Sequence, residues 1–157
     1  MSNNLWGKPI WEFIHTFCFH IDAEYYTLNA ALICNLLQII CTTLPCEFCN
    51  SHAKKYISNK LNPRNLDTKQ KLVEFFIHFH NDVNKRLHKP EFKYPEKYQF
   101  YNLNEKYKMF SRVYNGKMYN LKSFNHSRKR DQVLRTILKL INHCYYYIQS
   151  RKKKESN

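Results

Sequence analysis

The residues best suited to chemistry lie in "LPCEFCNSHA", Leu44 to Ala53. Cys46 and Cys49 are spaced as Cys-x-x-Cys, and His52 follows three residues later. Such a cluster can hold a metal, cycle between dithiol and disulfide, or simply pack. Structural zinc takes four ligands of these types. His52 offers a third, but the chain has no second Cys-x-x-Cys, so a fourth would have to be an isolated residue. No metal site is expected. A c-type haem needs histidine directly after the second cysteine, and Asn50 stands there. A thioredoxin-type pair sits among strands, and the flanking sequence reads as helical. A redox-active pair on a helical scaffold remains. The pair follows Pro45 and opens a helix. There, free N–H groups and the macrodipole favour a thiolate, whose pKa falls from about 8.5 into roughly 3.5–7.5.

The other four cysteines read differently. Cys34 and Cys41 are seven residues apart in one predicted helix. That places them about 10 Å apart along its axis, beyond the roughly 7 Å that a disulfide allows between Cα atoms. Cys18 could reach one of them across a helix pair, and Cys144 stands alone. All four are expected to be small buried apolar groups.

The scaffold that positions the pair is legible from periodicity. The chain of 157 residues fits one domain, perhaps with an appendage, and its 43% apolar and 16% aromatic content can supply a core. It has two glycines, which disfavours glycine-rich nucleotide loops and turn-rich β folds. "PIWEFIHTFCFHID" predicts a first helix with Pro9 at its start and Ile10, Ile14, Phe17 and Ile21 on one face. "AEYYTLNAALICNLLQIICTTL" predicts a second, with Leu28, Leu32, Leu36, Ile39 and Ile40 inward, stopped by Pro45. A third runs from the cysteines to about Ser58. A fourth covers "TKQKLVEFFIHFHNDVNKRL", capped by Asp67 with Gln70 and burying Leu72, Phe76, Phe79, Val83 and Leu87. Four such helices with short links predict an all-α bundle.

After Pro90 the texture changes. Residues 92–108 are rich in tyrosine and lysine without clear period. Asn115-Gly116 within "RVYNGKMY" is a hairpin signal. "DQVLRTILKLINHCYYYIQ" predicts a further helix that packs Val133, Ile137, Leu140, Ile141 and Cys144, and the tail "SRKKKESN" is expected to fray.

The formal charge is +14. It suits phosphate polymers or acidic partners, or simply reflects lysine-rich composition on a solvated surface. No nucleic-acid motif accompanies it. No apolar run reaches the roughly 18 residues of a membrane span. "MSNNLWGKPIW" lacks the form of a secretory signal. A cytoplasmic protein without a span is expected.

A second dense patch is "HFHNDVNKRLHKP". His80 and Asn84 are i, i+4, and Asn81 and Lys85 repeat that spacing. Asparagines are poor helix formers, so repeating them has a cost. A bound polar, aromatic ligand would offset it, and Trp11 and His15, also i, i+4, can stack on a flat ring.

Together these segments resemble the Erv/ALR family of FAD-dependent sulfhydryl oxidases. "WGKPIWEFIHTF" is similar to the family's W-G-x-x-x-W-x-x-x-H opening. "LPCEFCNSHA" is similar to its P-C-x-x-C-x-x-H segment, and "HNDVNKRLHKPEF" to H-N-x-V-N-x-x-L-x-K-P-x-F. The order and distances also fit, over about residues 5–93. The compact form looks most like the versions of large DNA viruses, which would place it in host cytoplasm or a virion.

The resemblance implies a four-helix bundle holding FAD, usually as a homodimer, over residues 1–93. Residues 94–157 would be a basic extension with a further helix and a short hairpin. It implies cofactor contacts from Trp11, His15, His80, Asn81, Asn84 and Lys89, with Lys8, Val83, Lys85 and Phe92 beside them. Cys46 and Cys49 would be the active disulfide, with Cys49 against the flavin. Substrates would be protein dithiols or a thioredoxin-like redox carrier, with O2 as acceptor and hydrogen peroxide as product. Ser58 and Ile77 stand where cellular members often carry a further disulfide, and His20 where they carry a tyrosine. The readings set against this are a non-catalytic basic nucleic-acid-binding or virion structural protein, and a zinc-stabilised interaction module.

Overall fold

The computed structural model describes residues 6–115 and 124–156, and among them there is no strand. Helix α1 spans Gly7–His20, α2 Ala23–Thr42, α3 Glu47–Ile57 and α4 Lys69–Arg86; a 3-10 helix at Pro95–Phe100, α5 at Leu103–Tyr114 and α6 at Phe124–Glu155 follow. The expected four helices are all present.

Their ends follow local chemistry. Pro9 lies in the first turn of α1, where a missing N–H breaks no intrahelical bond. Asp22 caps α2 by accepting from the Tyr25 N–H at 2.9 Å. Thr68, not Asp67, caps α4, accepting from the Lys71 N–H at 3.2 Å. Asp67 pairs instead with the Lys71 side chain, so the expected capping box is replaced by a simple Thr68 cap, since a lysine at the third position cannot accept a hydrogen bond.

The core joins Ile10, Phe13, Ile14 and Phe17 of α1 to Ile33, Leu36, Leu37 and Ile40 of α2, with Leu72, Phe76 and Phe79 of α4. The expected inward stripe of α2 is corrected: Leu28 is 67% and Leu32 43% exposed. α2 is apolar on more than one face, and the face carrying Ile33 and Leu37 packs inward instead; the helix also kinks at Asn29 (φ −123, ψ 16), whose amide donates to the Tyr25 carbonyl at 2.9 Å. α2 is also apolar and long enough to cross a membrane by length and composition, contrary to expectation. Half of it is buried in the bundle.

The region after residue 93 departs most from expectation. The 3-10 helix and α5 occupy the stretch without clear period. Asn102 caps α5 by accepting from the Glu105 N–H. The helix buries Phe110 and Tyr114 completely. Phe110 stacks on Phe13 at 4.3 Å between ring centroids, the Tyr114 and Thr43 hydroxyls meet at 2.6 Å, and Lys106 pairs with Glu12 at 2.8 Å. In packing, then, residues 95–114 are part of the bundle, and no structural boundary falls at residue 93. Of the expected hairpin, Arg112 to Tyr114 are helical and Asn115 closes α5, while Gly116 to Tyr119 lie outside the described residues.

α6 packs along α2 with Val133, Leu134, Ile137, Leu140 and Cys144 buried. It does not fray where expected: Arg151 bonds Asp22 at 2.9 Å and Glu24 at 2.7 Å, which pins its last turns to the start of α2. Higher up, Tyr25 and His143 meet at 2.9 Å.

Because Phe110 fills space against α1, Phe110→Ala should destabilise the protein by about 3–5 kcal/mol, the usual cost of emptying a large core site. Urea denaturation of both forms measures this. A loss under 1 kcal/mol would mean that α5 is an appendage.

Candidate active site

The loop before α3 is held by one side chain. Asn50 accepts from the Leu44 N–H at 2.7 Å and donates to the Leu44 carbonyl at 3.0 Å, fixing the turn that carries Pro45 and Cys46. Cys46 is itself the N-cap of α3: its sulfur accepts from the Cys49 N–H at 3.2 Å. Cys46 and Cys49 form a disulfide with Cα atoms 5.2 Å apart. Both sulfurs therefore sit at the positive end of a helix, where a thiolate released by reduction is favoured. Cys18, Cys34, Cys41 and Cys144 are free and buried, so Cys34 and Cys41 are not joined, as expected.

Cys49 opens onto a cleft of about 510 Å3, and Cys46 is not among its lining residues. Trp11, Phe79, His80, Phe92 and Tyr98 give the cleft aromatic walls, while Lys8, Arg86, Lys89 and Lys97 bring cations to it. The Arg86 Nε is buried with no hydrogen-bond partner among the described residues.

The stacking wall is built by α1 and α4 together. Trp11 and His80 lie face to face, 4.1 Å apart and 5° from parallel. Behind them His15 is buried, and its Nε2 meets the His80 Nδ1 at 2.9 Å, so one ring donates and the other accepts. Tyr98 closes the far side, stacked on His15 at 4.9 Å. Burial drives the His15 pKa down to about 3, helped by His80 and Lys97. Burial, with Lys89 and Lys97, lowers His80 to about 4. Both rings are neutral at pH 7.

The asparagines of α4 shape the opposite lip. The α4 C-terminus turns at His88, whose φ of 54° lies in the left-handed region common after helices. The chain then runs back along α4. Asn81 accepts from the Phe92 N–H at 2.8 Å and donates to the Phe92 carbonyl, and Asn84 donates to the Pro90 carbonyl at 3.2 Å. Their cost to the helix is offset by placing Phe92 and Lys89.

The structure thus brings Lys8, Trp11, His80, Val83, Asn84, Lys89 and Phe92 into one cleft with Cys49. His15 and Asn81 support it from behind, and Lys85 is exposed, off the lining. Sequence reasoning missed Tyr98, Lys97 and Arg86. It also missed the use of His52, which lines the cleft and pairs with Asp82 at 2.8 Å. That pairing turns His52 toward a carboxylate rather than toward a metal. Among the described residues no cluster of three or more His, Cys, Asp or Glu could hold a metal.

The fold and site are thus those of a helical bundle with a disulfide at the edge of a flat, aromatic, cation-bearing cleft. The chain belongs to the Erv1/Alr family, whose model matches residues 8–108. It is 37% identical over 91 residues, 55% of this chain and 59% of the relative, to a protein of Invertebrate iridescent virus 3 that carries the name of a FAD-linked sulfhydryl oxidase. It is 34% identical over 85 residues, 54% of this chain and 69% of the relative, to the FAD-linked sulfhydryl oxidase of African swine fever virus, isolate Pig/Kenya/KEN-50/1950. It is 27% identical over 86 residues to the mitochondrial FAD-linked sulfhydryl oxidase ERV1 of Saccharomyces cerevisiae, covering 55% of this chain and 44% of that one. The chain thus spans less than two thirds of the first of these relatives. No solved structure matches it.

The two buried histidines predict an acid response. An unfolded imidazole titrates near 6.5, so between about pH 6.5 and 4 the unfolded chain binds more protons than the folded one. Stability is then complete above pH 6.5 and falls as pH drops through that window, by about 1–2 kcal/mol per ring at pH 5. Thermal unfolding at pH 7 and pH 5 should show a loss of several degrees, and the double variant His15→Gln/His80→Gln should show a smaller one. An equal loss in both would place the acid sensitivity elsewhere.

Proposed function

We propose that the chain is a FAD-dependent sulfhydryl oxidase that forms disulfide bonds in protein dithiols. The observation that carries this reading is that Cys49, disulfide-bonded to Cys46, lines the aromatic and cationic cleft. The names of its relatives support it. The cleft fits the cofactor. Trp11, His80, Phe92 and Val83 offer flat or apolar surface to a ring system, and Lys8 and Lys89 offer charge to a pyrophosphate. The buried Arg86 Nε is a donor with no hydrogen-bond partner among the described residues. Asn84 adds a polar contact, while His15 and Asn81 hold the His80 and Phe92 walls.

In this reading a substrate thiolate attacks the Cys46 sulfur. The Cys46–Cys49 bond breaks, and its electron pair leaves on Cys49, at the helix end that favours negative charge. A second substrate thiolate attacks the substrate sulfur of the mixed disulfide, and Cys46 leaves as the thiolate. The substrate has lost two electrons and two protons, and the cysteine pair holds the electrons. FAD, when bound, supplies the outlet for that pair to dioxygen, giving hydrogen peroxide. The neutral His15–His80 pair keeps the wall free of charge while the electrons move.

We further propose that the substrates are protein dithiols or a thioredoxin-like carrier. We propose a homodimer, for which the exposed Leu28 and Leu32 on α2 are one candidate apolar surface among the described residues. A cytoplasmic setting, the host's if the chain is viral, suits its four free thiols. Residues 1–93 would carry the cysteines and most of the cleft, which Lys97 and Tyr98 complete, and the remainder of residues 94–157 contacts with partners. Residues 94–157 hold fifteen of 26 basic and four of 12 acidic residues, hence +11 of the net +14.

The purified chain should be yellow and release one FAD per chain on denaturation. Cys46→Ser and Cys49→Ser should each abolish oxygen consumption with dithiothreitol while retaining FAD. The remaining thiol should differ: Cys46 in the Cys49→Ser variant should react readily with a thiol reagent, and Cys49 in the Cys46→Ser variant more slowly. A colourless folded protein would overturn the reading, and a reversed reactivity order would exchange the two cysteines.

A further inference from the structure

Phe48 sits between the two cysteines and is 71% exposed, although the chain buries Phe13, Phe17, Phe76, Phe79 and Phe110. Its ring is not loose. The Arg86 guanidinium lies over it, 4.7 Å from the centroid, a cation–π contact that leaves the ring's other surface to solvent. Arg86 is the last residue of α4, so the ring on α3 is clamped from a second helix.

The disulfide chemistry dictates what must approach this ring. A mixed disulfide holds the two Cα atoms roughly 4.4–6.8 Å apart. A substrate cysteine bonded to Cys46 therefore brings its own chain within reach of Phe48, two residues along. The Cys49 side of the pair is taken up by the cleft, so the approach is from the Phe48 side. Flanking residues change the exchange rate through the substrate thiol's pKa, which affects small and large oxidants alike. A preference for apolar neighbours needs an apolar surface near Cys46, and Phe48 supplies an oriented aromatic ring there.

We propose that Phe48, held by Arg86, is the recognition surface for the residue flanking the substrate cysteine. It selects substrates carrying an aromatic or large aliphatic side chain at that position. This rests on Cys46 being the sulfur that substrates attack, and it adds a substrate class to that reading. The neighbouring Glu47, exposed on the same turn, offers no such apolar contact, and Phe48 does.

The test uses the FAD-loaded full chain and three reductants: dithiothreitol and two reduced Cys-x-x-Cys peptides that differ only in phenylalanine or serine beside the first cysteine. The wild type should oxidise the phenylalanine peptide with kcat/KM roughly 3–10-fold above the serine peptide, the size of a single aromatic contact. Phe48→Ser should remove that preference by raising KM for the phenylalanine peptide. Its kcat, its dithiothreitol turnover and its FAD content should stay as in the wild type, and Phe48→Leu should keep part of the preference. Equal rates on both peptides in the wild type would overturn the proposal. So would a Phe48→Ser variant that slows dithiothreitol equally, which would make the ring a support for the disulfide. A change of oligomeric state in that variant would assign the ring to a second copy instead. Absence of dithiothreitol turnover in the FAD-loaded wild type would sink the oxidase reading itself, a separate failure.

Discussion

One hydrogen bond joins the two helices that build the stacking wall of the cleft. His15 on α1 and His80 on α4 meet nitrogen to nitrogen, and both are held neutral by burial. If both rings were protonated, two cations would face each other at 2.9 Å, an arrangement that low-dielectric surroundings make very costly. The neutral pair fixes the distance between the helices and, through it, the plane of the Trp11–His80 stack. Everything that the cleft presents to a flat ligand depends on that joint.

Around it the protein spends polar side chains on position. Asn50 fixes the loop before the cysteines, and Asn81 and Asn84 fix the segment returning from α4. Asp82 holds His52. Each bond joins residues from different local structures, so the disulfide, the stacking wall and the cationic lip are set by one connected frame. α5 and α6 complete it from outside: α5 fills the core against Phe13, and α6 clamps α2 through Arg151, Asp22 and Glu24.

Much of this was legible in the sequence because it is periodic or closely spaced. The four bundle helices follow from i, i+3 and i, i+4 recurrence, and Trp11/His15 and His80/Asn84 share faces for the same reason. Cys46 and Cys49 are marked by proline and by spacing. The failures have physical causes. α2 is apolar on more than one face, so periodicity could not choose between Leu28/Leu32 and Ile33/Leu37, and packing against the other helices decided it. α5 was hidden by tyrosines and lysines, though Asn102 followed by Glu105 is a helix-start pattern. Asn115-Gly116 signals a chain reversal, but Asn115 closes α5 in right-handed helical geometry, and asparagine is common at helix ends as well as in hairpin turns. Tyr98, His52–Asp82 and Arg151–Asp22 join residues 30 to 129 positions apart where a bond is involved, and no local pattern announces such pairs.

A chain that made disulfides, as proposed, would carry a hazard of its own, because it holds six cysteines, the pair that oxidises thiols among them. Cys41 lines the same cleft as Cys49, yet burial pushes its thiol up to about 12. At neutral pH roughly one molecule in 10⁵ would then carry the thiolate that exchange requires. Cys18 and Cys34 are raised in the same way. Proton affinity, set by how deeply each sulfur lies, thus sorts the chain's thiols into two that react and others that are inert. The core is insulated from self-oxidation without any residue devoted to guarding it.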